Sequence, residues 1–177
     1  MKTSVFVGVS VDGFIARPQG ELDFLDAGGD EPHGYDEFIA TVDTIVMGRK
    51  TFETVLGFST WPYGERPVVA LSGRPLELST AASRGGRVEQ MSGPPADILA
   101  TLSDRGVQHV YVDGGITIQG FLRGGLVNRL VITRVPVLIG SGIPLFGSLP
   151  RDFLLRHVAT KTFRGGLVQS EYEVSAA

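Results

Sequence analysis

Three short segments place glycine beside charged or hydroxyl-bearing residues, and each directly follows an apolar run that predicts a buried strand. A helix that begins at such a turn leaves backbone N–H groups free, and glycine lets a ligand approach them closely. Cationic side chains in two of the segments add positive charge, so together the segments predict a site for a phosphate-bearing ligand. Any one segment is equally consistent with a tight turn, and it is the combination that favours a ligand site. The segments are Gly48-Arg49-Lys50-Thr51, Ser72-Gly73-Arg74 and Asp113-Gly114-Gly115.

The order of apolar runs along the chain predicts how these segments are positioned. The first two thirds alternate strands and helices, which indicates a mostly parallel sheet covered by helices on both faces. The carboxyl ends of parallel strands lie along one edge of a sheet, where ligands bind, so the three segments should face one cleft. The remainder predicts strands alone, which indicates antiparallel C-terminal strands and an α/β fold in a single domain over residues 1–177. These strands are predicted over Leu130–Leu138, Phe153–Ala159 and Leu167–Val174.

Two loops are further candidates for binding elements, because long loops in compact domains often carry function. One is glycine-rich and runs from Phe14 to Asp30, before a short helix predicted over Tyr35–Thr41. The other, Phe58–Gly64, is aromatic and contains the only tryptophan, Trp61. A flat heteroaromatic ligand could stack on this ring. An equally good interpretation is that the ring holds its own loop in place.

The composition argues against several classes of function. A net charge of −3, with both signs interspersed, gives no indication of a nucleic-acid or membrane-surface partner. The absence of cysteine excludes disulfides and thiolate metal sites and favours a cytoplasmic location. His33, His109 and His157 lack metal-ligand spacing, so no metal site is predicted. The N-terminal apolar run is too short for a signal peptide or a membrane span.

Standard nucleotide-binding and hydrolase motifs are missing from the sequence. Arg49 separates Gly48 from Lys50, which breaks the pattern of a phosphate-binding loop. Gly8 and Gly13 are wrongly spaced for a dinucleotide-binding fingerprint after the first strand. The same strand lacks the final glycine of a hydrolase nucleophile elbow. The predicted phosphate site therefore does not belong to a standard Rossmann or P-loop domain.

Five segments, in their order along the chain, resemble the dihydrofolate reductase-like superfamily. The resemblance is closest to the C-terminal reductase domain of the bifunctional riboflavin-biosynthesis deaminase-reductase. Each segment is modest alone, but the ordered set covers nearly the whole chain. The deaminase half has no counterpart here, because its zinc signature requires cysteines. The matching segments are Ser10–Ala16, Met47–Glu53, Leu71–Arg74, Val112–Gly115 and Pro136–Phe146.

This resemblance implies a mixed sheet of about eight strands flanked by helices, with NADPH as the hydride donor. The Gly-Arg-x-Thr and Ser-x-Arg turns would hold the adenosine phosphates, and the double-glycine turn would cradle the pyrophosphate. Backbone near the first strand would hold the nicotinamide carboxamide. NADH stays open as the cofactor, since basic turns sometimes serve only structure. The residues implied to bind the cofactor are Val7, Gly8, Ile15, Gly48, Arg49, Lys50, Thr51, Leu71, Ser72, Gly73, Arg74, Asp113, Gly114, Gly115, Ile116 and Thr117.

The substrate side differs from that of true dihydrofolate reductases. Their helix carries an acid that helps to protonate the pterin, and no acid aligns with it here without gaps. Asp36 or Glu37 could take this catalytic role, although acids on a short helix are more often simply solvated. Phe38, on the same predicted helix, and Trp61 are the predicted substrate-binding residues.

The sequence therefore predicts an NADPH-dependent reductase that transfers hydride to a C=N or C=O bond of a pterin- or pyrimidine-like heterocycle. The alternative is a non-catalytic nucleotide-binding module with the same fold. A homodimer is also predicted, since Leu130–Leu138 and the edge-like Leu167–Val174 offer apolar strands for association. Neither the physiological substrate nor the proton donor follows from the sequence.

Overall fold

The computed structural model describes residues 1–175, and its strands and helices alternate through most of the chain. The strands are Lys2–Ser10 (β1), Phe14–Ala16 (β2), Thr44–Gly48 (β3), Pro67–Leu71 (β4), Arg87–Met91 (β5), His109–Asp113 (β6), Arg129–Val135 (β7), Ile143–Pro144 (β8), Leu155–Thr162 (β9) and Val168–Val174 (β10). The helices are Tyr35–Ala40 (α1), Arg49–Leu56 (α2), Ser79–Ser83 (α3), Pro95–Asp104 (α4) and Gly115–Arg123 (α5), and a 3₁₀ segment covers Asp23–Gly28.

Eight of these strands form one sheet in the order β5-β4-β3-β6-β1-β7-β10-β9. Pairing is parallel from β5 through β7, and antiparallel from β7 through β10 to β9. Since β3, β4 and β6 run in the same direction as neighbours, their carboxyl ends lie side by side at one edge. The strands β2 and β8 form a small antiparallel pair. The fold class predicted from the sequence is confirmed.

Both faces of the central sheet are covered, which explains why its strands are nearly continuous apolar runs. Helices α4 and α5 pack on one face, where Phe121 is fully buried against the strands. Helices α1 and α2 pack on the other face through Phe38 and Phe52. Within residues 1–175, no helix is both long enough and apolar enough to cross a membrane.

The last three long strands differ from the prediction in their bounds and positions. Strand β7 ends at Val135, because Pro136 lacks the backbone N–H that another ladder bond would need. Strand β9 begins and ends later than the predicted strand Phe153–Ala159. Strand β10 lies inside the sheet between β7 and β9, so it is not the edge that the sequence suggested. The edge strand at this end of the sheet is β9, and β7 and β10 both lie inside it. The homodimer predicted from these two strands stays a prediction.

Candidate functional site

The three glycine-bearing turns leave the sheet side by side. In the β3–β4 register Gly48 lies opposite Leu71, and in the β3–β6 register Met47 lies opposite Asp113. Helix α2 begins directly after β3, and α5 begins at Gly115 after β6. Both helices therefore start at this edge with free backbone N–H groups. The structure brings together the segments that the sequence predicted to face one cleft.

Two of these turns also interlock. A Cβ atom on Gly48 would lie 2.6 Å from Oγ1 of Thr117, and one on Gly114 would collide with Oγ1 of Thr51. Gly114 has a φ of 90°, a conformation that L side chains rarely adopt. A larger residue therefore fits at neither glycine, and the first turns of α2 and α5 pack against each other through backbone and threonine side chains.

A groove runs over this interlocked pair. It comprises two cavities, of about 490 and 340 Å³, that share Lys50, Thr51, Gly114, Gly115 and Ile143. The larger cavity extends under the loop of residues 15–22, and the smaller one extends toward β4. Glycine backbone, a threonine hydroxyl, a lysine ammonium group and two helix N-termini are the groups that hold a pyrophosphate in proteins. The donor set of the groove thus fits the phosphates of a dinucleotide.

A smaller cavity of about 190 Å³ lies beside the groove and is lined by Arg49 and Arg74 together with Glu53 and Glu77. Arg49 Nη1 donates to Glu53 Oε1 at 3.1 Å. Ser72 orders the turn that carries Arg74, since its Oγ accepts from the Arg74 N–H at 3.1 Å and donates to the Arg74 carbonyl at 2.7 Å. Because Arg49 also lines the groove, the two guanidinium groups offer a place for a further phosphate.

Asp113 ends β6 and lines the larger cavity of the groove. Its Oδ1 accepts a hydrogen bond from the Gly114 N–H at 2.7 Å. Burial raises the pKa of Asp113 to about 6, although the hydrogen bond from the Gly114 N–H and the nearby Tyr111 hydroxyl act in the opposite direction. A carboxyl group with this pKa exchanges its proton close to neutral pH, so Asp113 can act as an acid. The family resemblance places Asp113 with the cofactor, and nothing in the sequence around it indicates this second property.

Three tyrosine side chains from different parts of the chain lie close enough to Asp113 for its charge to affect their titration. Burial raises the pKa of Tyr35, on α1, to about 12, and the Asp113 charge adds to this effect. Burial and the same charge raise the pKa of Tyr63 and of Tyr111 far above the usual value. All three phenols therefore stay protonated at neutral pH and take part only as hydrogen-bonding groups. Asp113 is the one of these four groups that titrates near neutrality.

Of the residues expected to hold the nicotinamide, Ile15 lines the groove, whereas Val7 and Gly8 line neither of its two cavities. The Val7 side chain is buried in the core, so only its backbone is available. A Cβ atom on Gly8 would lie 2.7 Å from Cδ2 of Leu25, which belongs to the 3₁₀ segment and packs over β1. Ile15 lines the groove, and its Cγ2 would lie 3.1 Å from a Cβ on Gly115. Binding of the carboxamide at these residues stays a prediction.

The predicted catalytic and substrate-binding side chains are not brought to the groove. Glu37 and Phe38 line a separate cavity of about 470 Å³ between α1 and the β7–β10–β9 part of the sheet. Asp36 is exposed on the same helix. Trp61 packs edge-on against Phe52 and Tyr63, at ring distances of 6.5 and 5.4 Å, which is how a residue holding its own loop would pack. The roles assigned to these four residues stay predictions, and the geometry favours Asp113 over Asp36 and Glu37 as the acid.

The fold is the one seen in dihydrofolate reductase. A dihydrofolate reductase from Enterococcus faecalis, in complex with NADP(H), superposes with a TM-score of 0.66 at 16% identity, covering 99% of this chain and 97% of that one. The family model of the RibD C-terminal domain matches residues 76–169. The chain belongs to the RibD C-terminal domain family, which confirms the resemblance noted in the sequence.

Two relatives match over almost their full length. The uncharacterized protein YwjB of Bacillus subtilis (strain 168) is 33% identical over 178 residues, which cover 97% of this chain and 97% of YwjB. A crystal structure from Shewanella sp. PV-4, provisionally named a riboflavin biosynthesis protein, has a TM-score of 0.90 at 36% identity, covering 99% of this chain and 100% of that one. The fold is shared with reductases of the pyrimidine and pterin type.

Proposed function

We propose that this protein is an NADPH-dependent reductase that reduces a C=N or C=O bond of a pterin- or pyrimidine-like heterocycle. Membership of the RibD C-terminal domain family and the dihydrofolate reductase-like fold support a reductase. The observation that carries the proposal is the convergence of phosphate-binding groups and one titratable acid, Asp113, on a single groove.

In this proposal each part of the groove holds a different part of the cofactor. The N-terminus of α5 at Gly114 and Gly115, together with Thr51 and Lys50, holds the pyrophosphate. Arg49 and Arg74 hold the phosphate that distinguishes NADPH from NADH. The side chain of Ile15 and the backbone of β1 hold the nicotinamide carboxamide end.

The chemistry that remains for the protein is positioning and proton supply. When bound, the nicotinamide cofactor supplies a hydride to the carbon of the C=N or C=O bond. Asp113 supplies a proton from its carboxyl oxygen to the nitrogen or oxygen of the same bond, and is then reprotonated from solvent. The raised pKa of Asp113 suits this role, because a useful fraction of the group is protonated near neutral pH. Lys50 and Thr51, which line the groove beside Asp113, fix where the cofactor lies relative to this acid.

The first test is a fluorescence titration of the purified protein with NADPH and with NADH. We expect micromolar binding of NADPH, weaker binding of NADH, and loss of this difference in Arg49→Ala and Arg74→Ala. Arg105→Ala is the matched control, because Arg105 pairs with Glu89 at 2.5 Å outside the groove. If neither nucleotide binds, the reductase proposal is wrong.

A non-catalytic nucleotide-binding module is the second candidate. It is favoured by the position of Glu37 and Phe38, which face a different cavity from the cofactor groove. NADPH oxidation with any member of a pterin and pyrimidine panel, reduced at least tenfold in Asp113→Asn, would exclude it. NADPH binding without turnover of any panel member would favour it.

A homodimer and a cytoplasmic location complete the proposal, and light scattering tests the homodimer.

A further inference from the structure

The side chain of Gln90 fastens the loop that follows β4 to the neighbouring edge strand. Its Oε1 accepts a hydrogen bond from the Leu76 N–H at 2.8 Å. Its Nε2 donates to the carbonyl oxygens of Ser72 and Arg74 at 2.9 and 2.8 Å. Both donors and the acceptor of this amide are therefore used by one short stretch of backbone. The loop of residues 72–76 closes around the Gln90 amide.

Two sets of hydrogen bonds order this loop in different ways. The Ser72 hydroxyl bonds to the backbone of Arg74, two residues further on, so it sets the local shape of the turn. Gln90 lies on β5, the edge strand beside β4, so its bonds fix where the turn lies relative to the sheet. The backbone adds a bond from the Ser72 N–H to the Met91 carbonyl at 3.0 Å, at the start of the loop. The Gln90 amide extends this attachment to Arg74 and Leu76.

The position of Arg74 depends on this attachment more than that of Arg49 does. Arg49 belongs to helix α2, and its guanidinium pairs with Glu53 at 3.1 Å. Within residues 1–175, Arg74 forms hydrogen bonds only through its backbone, so no side-chain partner orients its guanidinium. Arg74 and Leu76 line the cavity of about 190 Å³ together with Arg49. A shift of the loop would therefore move one wall of this cavity and one of its two cations.

We propose that Gln90 is a positioning residue that sets the preference of this protein for NADPH over NADH. The proposal rests on the proposed function, in which Arg49 and Arg74 hold the phosphate that distinguishes the two cofactors. Because Gln90 fastens the loop before the ligand arrives, less ordering of Arg74 opposes the binding of that phosphate. NADH has no phosphate for the small cavity, so its binding gains nothing from the ordered loop.

Gln90 acts through the loop, since its side chain lines neither the groove nor the small cavity. The adjacent residue Glu89 provides a matched control. Neighbouring side chains of a strand point to opposite faces, and Glu89 pairs with Arg105, directly after α4, at 2.5 Å. A substitution at Glu89 thus removes a polar contact of the same strand without touching the loop.

Amide hydrogen exchange tests the attachment on the full chain without a nucleotide. Gln90→Met keeps the length of the side chain and removes the amide, so we expect the Leu76 N–H to exchange about tenfold faster than in wild type. Glu89→Met should leave this rate unchanged. Equal protection of Leu76 in Gln90→Met and in wild type would overturn the proposal. If Gln90→Met does not fold, Gln90→Glu replaces it, because a carboxylate there would face the carbonyl oxygens of Ser72 and Arg74 without a donor.

Isothermal titration calorimetry with NADPH and with NADH tests the consequence for binding. We expect Gln90→Met to weaken NADPH binding about tenfold and to leave NADH binding within about twofold. Glu89→Met should change neither affinity. Equal losses for both nucleotides would overturn the proposal, since Gln90 would then support the groove as a whole. If neither nucleotide binds the wild-type chain, the proposed function is wrong, whereas the exchange rate of Leu76 still decides whether Gln90 holds the loop.

Discussion

Gly48, at the end of β3, and Thr117, in the first turn of α5, approach so closely that a Cβ atom on the glycine would lie 2.6 Å from the threonine Oγ1. The relationship is reciprocal, because Thr51, in the first turn of α2, lies in the same way against Gly114. Each helix thus supplies a threonine that fills the space left by the glycine before the other helix. This exchange fixes the two phosphate-facing turns relative to each other.

The two glycines should respond differently to removal of the threonine that crowds them. Gly48 has a φ of −77°, which alanine adopts easily, so Gly48→Ala should cost on the order of 1–3 kcal/mol through crowding alone. Thr117→Ala should restore most of that loss. Gly114→Ala should cost more, because the φ of 90° adds backbone strain to the crowding. Thr51→Ala should therefore rescue only part of that loss.

Urea unfolding of the four single and two double variants measures this contrast as two double-mutant cycles. Gly73→Ala is the control, since a Cβ at that position would meet nothing within 4 Å. Equal rescue at both glycines would show that the backbone conformation of Gly114 contributes little.

Arg74→Ala should weaken NADPH binding about tenfold or more and change NADH binding little, because the guanidinium would lose one charge-assisted bond to a phosphate. Glu53→Gln should strengthen NADPH binding, since it removes the carboxylate that pairs with Arg49 at 3.1 Å. Isothermal titration calorimetry with NADPH and with NADH gives the ratio of the two affinities for each variant. A loss of NADH affinity as large as that of NADPH would place Arg74 at a phosphate common to both cofactors.

Asp113→Asn should stabilise the protein at alkaline pH. The pKa of Asp113 is about 6 in the folded chain against 3.8 for the free group, so the folded state binds the extra proton between these values. The contribution of Asp113 to stability therefore falls as pH rises from 4 to 6, by roughly 3 kcal/mol in total. The stability difference between Asp113→Asn and wild type should grow over this window and level off above it. Urea unfolding at pH 4, 5, 6 and 8 tests this, and a difference that does not depend on pH would contradict it.

Arg17 and Asp23 close the loop that forms one wall of the groove. Arg17 Nε and Nη2 donate to Asp23 Oδ1 and Oδ2 at 2.6 and 2.9 Å, and the enclosed residues Gly20 and Leu22 line the cavity. Arg17→Ala should weaken cofactor binding by about fivefold at most, since the pair is exposed, with almost no change in unfolding. The exchanged pair Arg17→Asp with Asp23→Arg should recover part of the affinity.

Arg156→Ala serves as the control for this loop, because Arg156 pairs with Glu173 on strands far from the groove. A binding loss in Arg156→Ala as large as in Arg17→Ala would mean that the loop contributes nothing specific.

The part of the fold that could be predicted is the set of strands that are buried on both faces of the sheet. The runs that became β3, β4 and β6 are mostly apolar, and a glycine or polar residue at or directly after the end of each marks where it stops. Strands β5 and β9 lie at the two edges of the sheet, where neighbours cover them less and polar residues are tolerated. The sequence therefore missed β5 and misplaced β9.

The site could be predicted where it consists of glycine backbone and charged side chains that are neighbours in the sequence. The acidity of Asp113 could not be predicted, because its pKa depends on burial and on the nearby Tyr111 hydroxyl. That hydroxyl is held by a hydrogen bond to the carbonyl of Phe6, from a distant part of the chain. The direction in which Glu37 and Phe38 face also depends on how α1 packs, which a six-residue helix does not encode by periodicity.

The strand order has a consequence for how the chain acquires this site. Strand β1 is synthesised long before β6 and β7, yet it pairs with both, so that Lys2 lies opposite His109 and Ser4 opposite Arg129. Parallel pairing across such sequence separations is slow, because a long loop must close before any contact compensates for it. On the ribosome, β1 must stay without either neighbour until most of the chain has emerged. The nucleotide groove is thus a late product of folding, and a ligand that binds it would select chains whose central sheet is already complete.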